Sequence, residues 1–328
     1  MHLACRLPSS PSHEALRRFR RTLLAATATL LATTTAATAK DCGGAVACAC
    51  GDRVVASTTL AGHLNSCRQD GLTLIAGVLD CAGHQITGPG DRTAFVGIRI
   101  DRGQGAEVRN CWVRNFGRGV YVDGGSDNRV ERSVLFSNRV GVWLGDGATR
   151  TQIVDDEVRD NREQGIHVGA GTSDNLVARN RLVQNRTENV SLLETRGNVV
   201  ADNVLDKSRE AAIALKHAVD NTFLRNVLVQ RPIVLRGASS GNVFEDNQLA
   251  SGRFSFKADE DAVKGWTYPH GNSVAGGSIT KGGTCFDFVG AYDNEASGVH
   301  VDGCRPAQER EAGGLMPHGN VVGVIRDR

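Results

Sequence analysis

The chain has 328 residues, with 38 Lys and Arg against 36 Asp and Glu, so its formal net charge is only +2. That balance excludes a general nucleic-acid surface, which needs a strong basic excess. With 39 glycines and only 5% aromatic residues, the composition suits a fold with many turns and an aliphatic core.

Residues 1–39 read as a cleaved signal peptide. Arg17, Arg18, Arg20 and Arg21 form a basic start, Leu23 to Leu31 a short apolar stretch, and Ala37-Thr38-Ala39 a small-residue cleavage site. An uncleaved anchor is the alternative, but the Ala/Thr-rich stretch falls short of the ~20 strongly apolar residues a bilayer span needs. No later apolar run could span a membrane. Cleavage after Ala39 places the mature chain in the periplasm or outside the cell. It removes five Arg and one Glu, leaving 33 basic and 35 acidic residues, a net charge of −2.

Of the nine cysteines, Cys5 leaves with the signal. Cys42, Cys48, Cys50, Cys67, Cys81, Cys111, Cys285 and Cys304 remain. An even number in an exported chain points to disulfides, whose pairing the sequence leaves open. Five of them fall within 42–81, so residues 40–96 read as a disulfide-rich N-terminal cap and first coil. Cys48-Ala49-Cys50 is alternatively a copper-type motif, although it has no second Cys/His pair nearby.

From there a repeat takes over. Asn128, Gln152, Asn175, Asn198, Asn221, Asn242, Asn272 and Asn294 follow one another at steps of 24, 23, 23, 23, 21, 30 and 22. A second row, Ser133, Glu157, Asn180, Asn203, Asn226 and Asn247, runs behind the first. Periods of this size mark a solenoid. Two positions after the first row come Val130, Val154, Val177, Val200, Phe223, Phe244 and Val274. After a polar corner, an alternating strand recurs as Gly97-Ile98-Arg99-Ile100, Gly119-Val120-Tyr121-Val122, Gly141-Val142-Trp143-Leu144 and Gly165-Ile166-His167-Val168. Its first inward residue steps through 98, 120, 142, 166, 190, 213, 233, 254 and 286.

Each coil therefore reads as short strand, turn, short strand, too short for helical crossovers. Like residues then stack ~4.8 Å apart, Val, Ile and Leu facing inward and Asn filling corner ladders that satisfy their own amides. The fold expected is all-β, a single-stranded parallel β-helix of about 22-residue coils over 97–288. Residues 289–328 form a last partial coil and C-terminal cap. The caps protect end coils whose edges would otherwise pair with other chains.

The Asn-x-Val/Phe motif with its second Asn five residues on, the Gly-Val/Ile strands, and the opening stretch from Gly71 to Gly88 together resemble the right-handed parallel β-helix proteins of the pectin-lyase-like superfamily. The resemblance covers about residues 70–300. It implies the right hand of the coil. Its functions range over polysaccharide lyases, hydrolases, uronate epimerases, adhesins and a periplasmic copper-binding family.

In catalytic relatives the cleft runs along the outside of one parallel sheet. The outward row of the alternating strand reads Arg99, Tyr121, Trp143, His167, Ser191, Ala214, Val234, Ser255 and Asp287. Tyr121, Trp143 and His167 make a candidate platform for sugar rings, or else a pair that only shields the sheet. Two places on, Lys216, Arg236 and Lys257 occupy successive coils. Like charges stacked this closely suggest an anionic partner such as a uronate or sulfated glycan.

The resemblance to β-helix lyases gives Lys216 the role of the base that takes the proton alpha to a uronate carboxyl. Arg236 becomes the group that protonates the leaving oxygen or steadies the charge. Glu194 and Lys257 join the substrate-binding set. The plain alternative is a set of solvated cations paired with Asp259, Glu260 and Asp261. No cofactor or metal site is expected, and calcium has no acidic cluster to hold it. Asp155-Asp156 resembles the paired aspartates of galacturonases but lacks a facing carboxyl. The insertion from Lys257 to His270 reads either as a wall at one end of the cleft or as a plain surface loop.

The expected function is an exported β-helix protein that binds, and is a candidate to cleave by β-elimination, an acidic polysaccharide or oligosaccharide along its outer sheet. The rivals are a non-catalytic carbohydrate-binding or adhesin-type β-helix and a periplasmic copper-binding β-helix.

Overall fold

A computed structural model describes residues 39–326. All but the last residue of the signal-peptide reading lies outside the described residues.

The described chain is a right-handed parallel β-solenoid with no helix among its described residues. One sheet, called the front sheet below, has thirteen strands, from Asp41–Cys42 at one end to Arg305–Arg310 at the other, following each other in chain order. Its middle members are Val96–Asp101, Arg118–Asp123, Val140–Gly145, Ile166–Val168, Glu188–Leu193, Ala211–Lys216, Ile233–Arg236 and Phe254–Lys257. Each contacts its predecessor in parallel register. Ile98 pairs with Val120, Val120 with Val142, and the file continues through Ile166, Val190, Ile213, Ile233, Phe254 and Phe286.

The remaining coil holds two short strands rather than one. In the coil after Asn198 these are Val199–Ala201 and Val204–Asp206, hinged at Asp202. Asp202 sits in the left-handed region (φ 57), as do Asp155, Arg179, Arg225 and Asp246 at the same corner of other coils. Polar side chains recur there, although an L residue bears a steric cost in this conformation.

The core is a continuous stack. Val130, Ile153, Val177 and Val200 are fully buried in one file. Toward the C-terminal end it turns aromatic. The Phe223 and Phe244 rings stack with centroids 4.5 Å apart, and Phe256 and Phe288 stack at 5.0 Å.

The asparagine rows form the ladders expected. Asn198 is typical: its Oδ1 accepts the Asn175 backbone N–H at 3.0 Å and the Asn175 Nδ2 at 2.9 Å. Its own Nδ2 donates to Asn221 Oδ1 at 3.0 Å. Two members of the expected rows are displaced by one residue. Thr151, not Gln152, occupies the first ladder and takes its N–H partner from Asn175. Asp156, not Glu157, occupies the second, between Ser133 and Asn180. Accordingly Ile153, not Val154, points inward. A one-residue slip in a strand sends every side chain to the opposite face, and Gln152 and Glu157 indeed project outward to pair with Arg129 and Arg159. A third ladder of Asn138, Asn161, Asn185 and Asn189, absent from the sequence reading, guards the turn into the front sheet.

Four disulfides tie the ends. Cys42–Cys48, Cys50–Cys67 and Cys81–Cys111 hold the first coils, and Cys285–Cys304 the last. Residues 40–96, which carry three of these disulfides in whole or in part, contribute the first front-sheet strands, Asp41–Cys42, Arg53–Val54 and Leu72–Leu74. No helix among the described residues is long and apolar enough to cross a membrane.

Candidate functional site

The front strands begin on a file of glycines because neighbouring coils come too close there for a side chain. A Cβ on Gly119 would lie 2.5 Å from the Gly141 carbonyl oxygen, and one on Gly141 the same distance from that of Gly165. The side chains that follow in each strand alternate, so one set fills the core and the other lines the outer face.

The outer face divides into two parts. In its N-terminal part the aromatic row is closed over by arginines. The Arg118 guanidinium lies 4.6 Å from the Tyr121 ring centre and 4.2 Å from that of Trp143. Arg99 lies 5.1 Å from the Tyr121 ring and is held by Asp123 at 2.5 Å. The Tyr121 hydroxyl bonds to Asp146. Tyr121 is only 7% exposed, and burial together with the Asp146 and Asp123 carboxylates pushes its phenol well above the ordinary range. The rings meet edge to face, Tyr121 to Trp143 at 80° and Trp143 to His167 at 66°. The sequence leaves open whether these residues form a sugar platform or a pair shielding the sheet; in the structure the Arg118 guanidinium lies over the Tyr121 and Trp143 rings as a cation–π plug.

Beyond the plug a groove of about 240 Å³ opens. His167, Ser191, Ala214 and Val234 form its floor on four successive coils. Gln164, Glu188 and Glu210 stand on the side where the strands begin, and Leu193, Lys216 and Arg236 where they end. His167 is 8% exposed, with its Nδ1 unpartnered. Burial, and then the nearby Arg118 charge, lower its pKa to about 4, so the imidazole is neutral at physiological pH. Glu188 also has a buried carboxylate oxygen, Oε2, without a hydrogen-bond partner.

The insertion forms a hairpin, Asp259–Asp261 paired antiparallel with Gly265–Thr267. It reaches back across two coils, and Asp259 Oδ2 contacts Lys216 Nζ at 2.7 Å. Lys216, Arg236 and Lys257 share one register. Burial, with Arg236 and Arg253 nearby, lowers the Lys257 ammonium.

Of the seven residues singled out from sequence, then, His167, Lys216 and Arg236 line one groove. Tyr121 and Trp143 lie in the plug beside it. Glu194 is exposed at the strand end, and neither it nor Lys257 lines the groove. The sequence reading missed Glu188, Glu210 and Gln164, which precede the strands and carry no periodic signal, and also Arg118, whose reach over two rings is a matter of rotamer.

Comparisons with known proteins agree with this architecture. Residues 83–283 match the family described as "Periplasmic copper-binding protein (NosD)". The chain is 33% identical over 104 residues to an uncharacterized protein, YwoF, of Bacillus subtilis (strain 168), spanning 26% of this chain and 22% of that protein. Among solved structures, the periplasmic alginate epimerase AlgG superposes with a TM-score of 0.60 at 13% identity, covering 83% of this chain and 68% of that one. The catalytic unit of a GH87 alpha-1,3-glucanase from Streptomyces thermodiastaticus strain HF3-3 superposes with a TM-score of 0.59 at 14% identity, covering 84% and 60%. The chain thus spans about a fifth of the curated relative and three fifths of the glucanase unit.

Proposed function

Because this chain belongs to the NosD family, we propose that it works outside the cytoplasm as a β-helix that binds an acidic polysaccharide along its front sheet. The single observation that carries this is the groove itself. Four coils supply a floor, and Lys216 and Arg236 project on one side of it in register. A pyranose chain is a linear repeat, as is the row of coils, and a uronate carboxylate would find a charge-assisted donor on that side. The alginate epimerase and the glucanase unit, whose names declare sugar polymers, carry the same fold, which supports the substrate class.

The reading is binding rather than cleavage. β-Elimination by Lys216 needs an amine free to reach the substrate, and Lys216 Nζ is paired with the Asp259 carboxylate at 2.7 Å. His167 is neutral, and its neighbours along the sheet are Trp143 and Ser191.

Copper, named in the family's description, needs several convergent nitrogen or sulfur donors. All eight cysteines among the described residues are in disulfides. No three of His, Cys, Asp or Glu among the described residues gather around a common point. His63 and His84 lie edge to face at 5.0 Å, and His63 Nδ1 already accepts the Gln85 N–H. These residues do not fit a resident copper centre.

The test is calorimetric titration with a galacturonate trisaccharide. Binding is expected, weakened on the order of tenfold in Lys216→Ala/Arg236→Ala by loss of two charged donors, with no ultraviolet-absorbing unsaturated product. Absence of binding by the native protein would remove the proposal. A product lost in Lys216→Ala would replace binding by lyase chemistry.

A further inference from the structure

The corners of the solenoid treat arginine in two different ways. At the corner between the two back strands, Arg132, Asp155, Arg179, Asp202, Arg225 and Asp246 follow each other coil by coil. Signs alternate, and Arg179 and Arg225 each make paired contacts of 2.8–2.9 Å to the aspartate of the preceding coil. At the neighbouring corner Arg150 does the same with Asp127. This is the arrangement expected when like charges stacked one coil apart would repel.

The corner leading into the front sheet breaks that rule. The N–H groups of Arg139, Arg162 and Arg186 donate to Phe116, Asn138 and Asn161 in turn, which places the three arginines in one register. Gln184 N–H donates to Asp206. That aligns Gln184 with Lys207, and so Arg186 with Arg209. Four arginines therefore occupy one register position on four successive coils. Arg162, Arg186 and Arg209, with Lys207 and Arg92, line an open cleft of about 690 Å³. The two acids that line it are Asp91 and Asp160, and Asp160 is already engaged by Arg159 at 2.8 Å. No ion pair within the described residues involves the five cations. Of the glutamates that follow these arginines in sequence, Glu163, Glu188 and Glu210, the last two line the front groove instead.

We propose that this cleft is a second site, separate from the front groove, for a linear polyanion carrying one carboxylate or sulfate per sugar. A file of one guanidinium per coil, ~4.8 Å apart, matches a regularly repeating anion rather than a single phosphate. The cleft is concave, between residues 91–92 and the turns, which suits a strand of polymer over a flat lipid surface. Arginine presents planar paired donors suited to either oxyanion.

The experiment uses the full chain carrying Lys216→Ala/Arg236→Ala, so that failure of the front groove and failure of this cleft are read separately. Polygalacturonate, dextran sulfate, neutral dextran and phosphatidylglycerol vesicles are the probes. The expected result is salt-dependent binding to polygalacturonate or dextran sulfate and none to dextran, falling on the order of tenfold on adding Arg162→Gln/Arg186→Gln/Arg209→Gln. The stronger of the two polymers identifies the anion. Thermal unfolding of that variant should be unchanged or shifted upward, since repulsion is relieved. Unchanged polymer binding, equal binding to dextran, binding to the vesicles alone, or a lowered unfolding temperature would each overturn the proposal.

Discussion

Asn203→Ala is expected to cost about 1–3 kcal/mol of unfolding free energy, because it leaves a buried backbone N–H without a partner. Asn203 is fully buried. Its Oδ1 accepts the Asn180 N–H at 2.9 Å and the Asn180 Nδ2 at 3.0 Å. Its Nδ2 donates to the Val177 carbonyl at 2.9 Å and to Asn226 Oδ1 at 2.9 Å. Truncation orphans the Asn180 N–H, in a place water does not reach, while the Val177 carbonyl keeps its place in the strand ladder. The adjacent Asp202 makes the control. It is exposed and joined to Arg225 at 2.8 Å, and a solvated pair of this kind contributes about 0–1 kcal/mol. Urea unfolding of Asn203→Ala and Asp202→Ala should therefore differ several-fold in effect. Equal losses would mean that the ladders do not carry the load assigned to them.

Asp156→Asn is expected to stabilise the protein, increasingly so as pH rises. Asp156 takes an asparagine's place in the second ladder. Its Oδ1 accepts the Ser133 N–H at 2.7 Å, while its Oδ2 is buried without a partner. Burial lifts its carboxyl well above the usual range. The Ser133 N–H and Arg129 pull it down, and the Asp155 and Glu131 charges push it further up.

A raised folded-state pKa means that the native protein holds a proton which the unfolded chain has released. Stability from this group is thus complete below the unfolded pKa of ~3.9 and is lost, at about 1.4 kcal/mol per pH unit, as pH climbs from there toward the folded value. The asparagine amide has no such titration and supplies a donor where Oδ2 has none. Stability curves of the two proteins should converge near pH 4 and diverge above it. A variant less stable than the parent at neutral pH would show that the carboxylate is held charged by something else.

Much of the fold was legible because its period is a steric necessity. Residues that stack must recur, so Asn175, Asn198, Asn221 and Asn242 declare both ladder and coil length, and the Ile98-to-Phe286 file declares the front sheet. Legibility failed where a ladder member was not asparagine. Thr151 and Asp156 do the same work from one position before Gln152 and Glu157, and the longer amide and carboxylate drew the register onto the wrong face. The third ladder gives a weaker signal because only Asn138, Asn161 and Asn185 recur at the coil period before Asn189 answers Asn185 within one turn.

The candidate site was half legible. Register alone brings Lys216 onto Arg236 and His167 onto Ser191, since parallel strands align equivalent positions. Register says nothing of what crosses the strands. The Arg118 side chain lying over Tyr121 and Trp143, and the hairpin acid reaching from Asp259 to Lys216, depend on side-chain direction and loop path.

What the amino-acid order determined by itself was the winding: which residues face inward, which corners carry amides, and which outer positions become neighbours. These follow from spacing, because a coil can lie on its predecessor in only one register without exposing its apolar file. The tertiary structure alone decided the charge at each corner and the openness of each face. It neutralised one arginine row with aspartates of the preceding coil, left another unneutralised beside a cleft, and closed the aromatic row while opening the groove next to it. Those outcomes rest on contacts between side chains of different coils, whose lengths and directions the period does not contain.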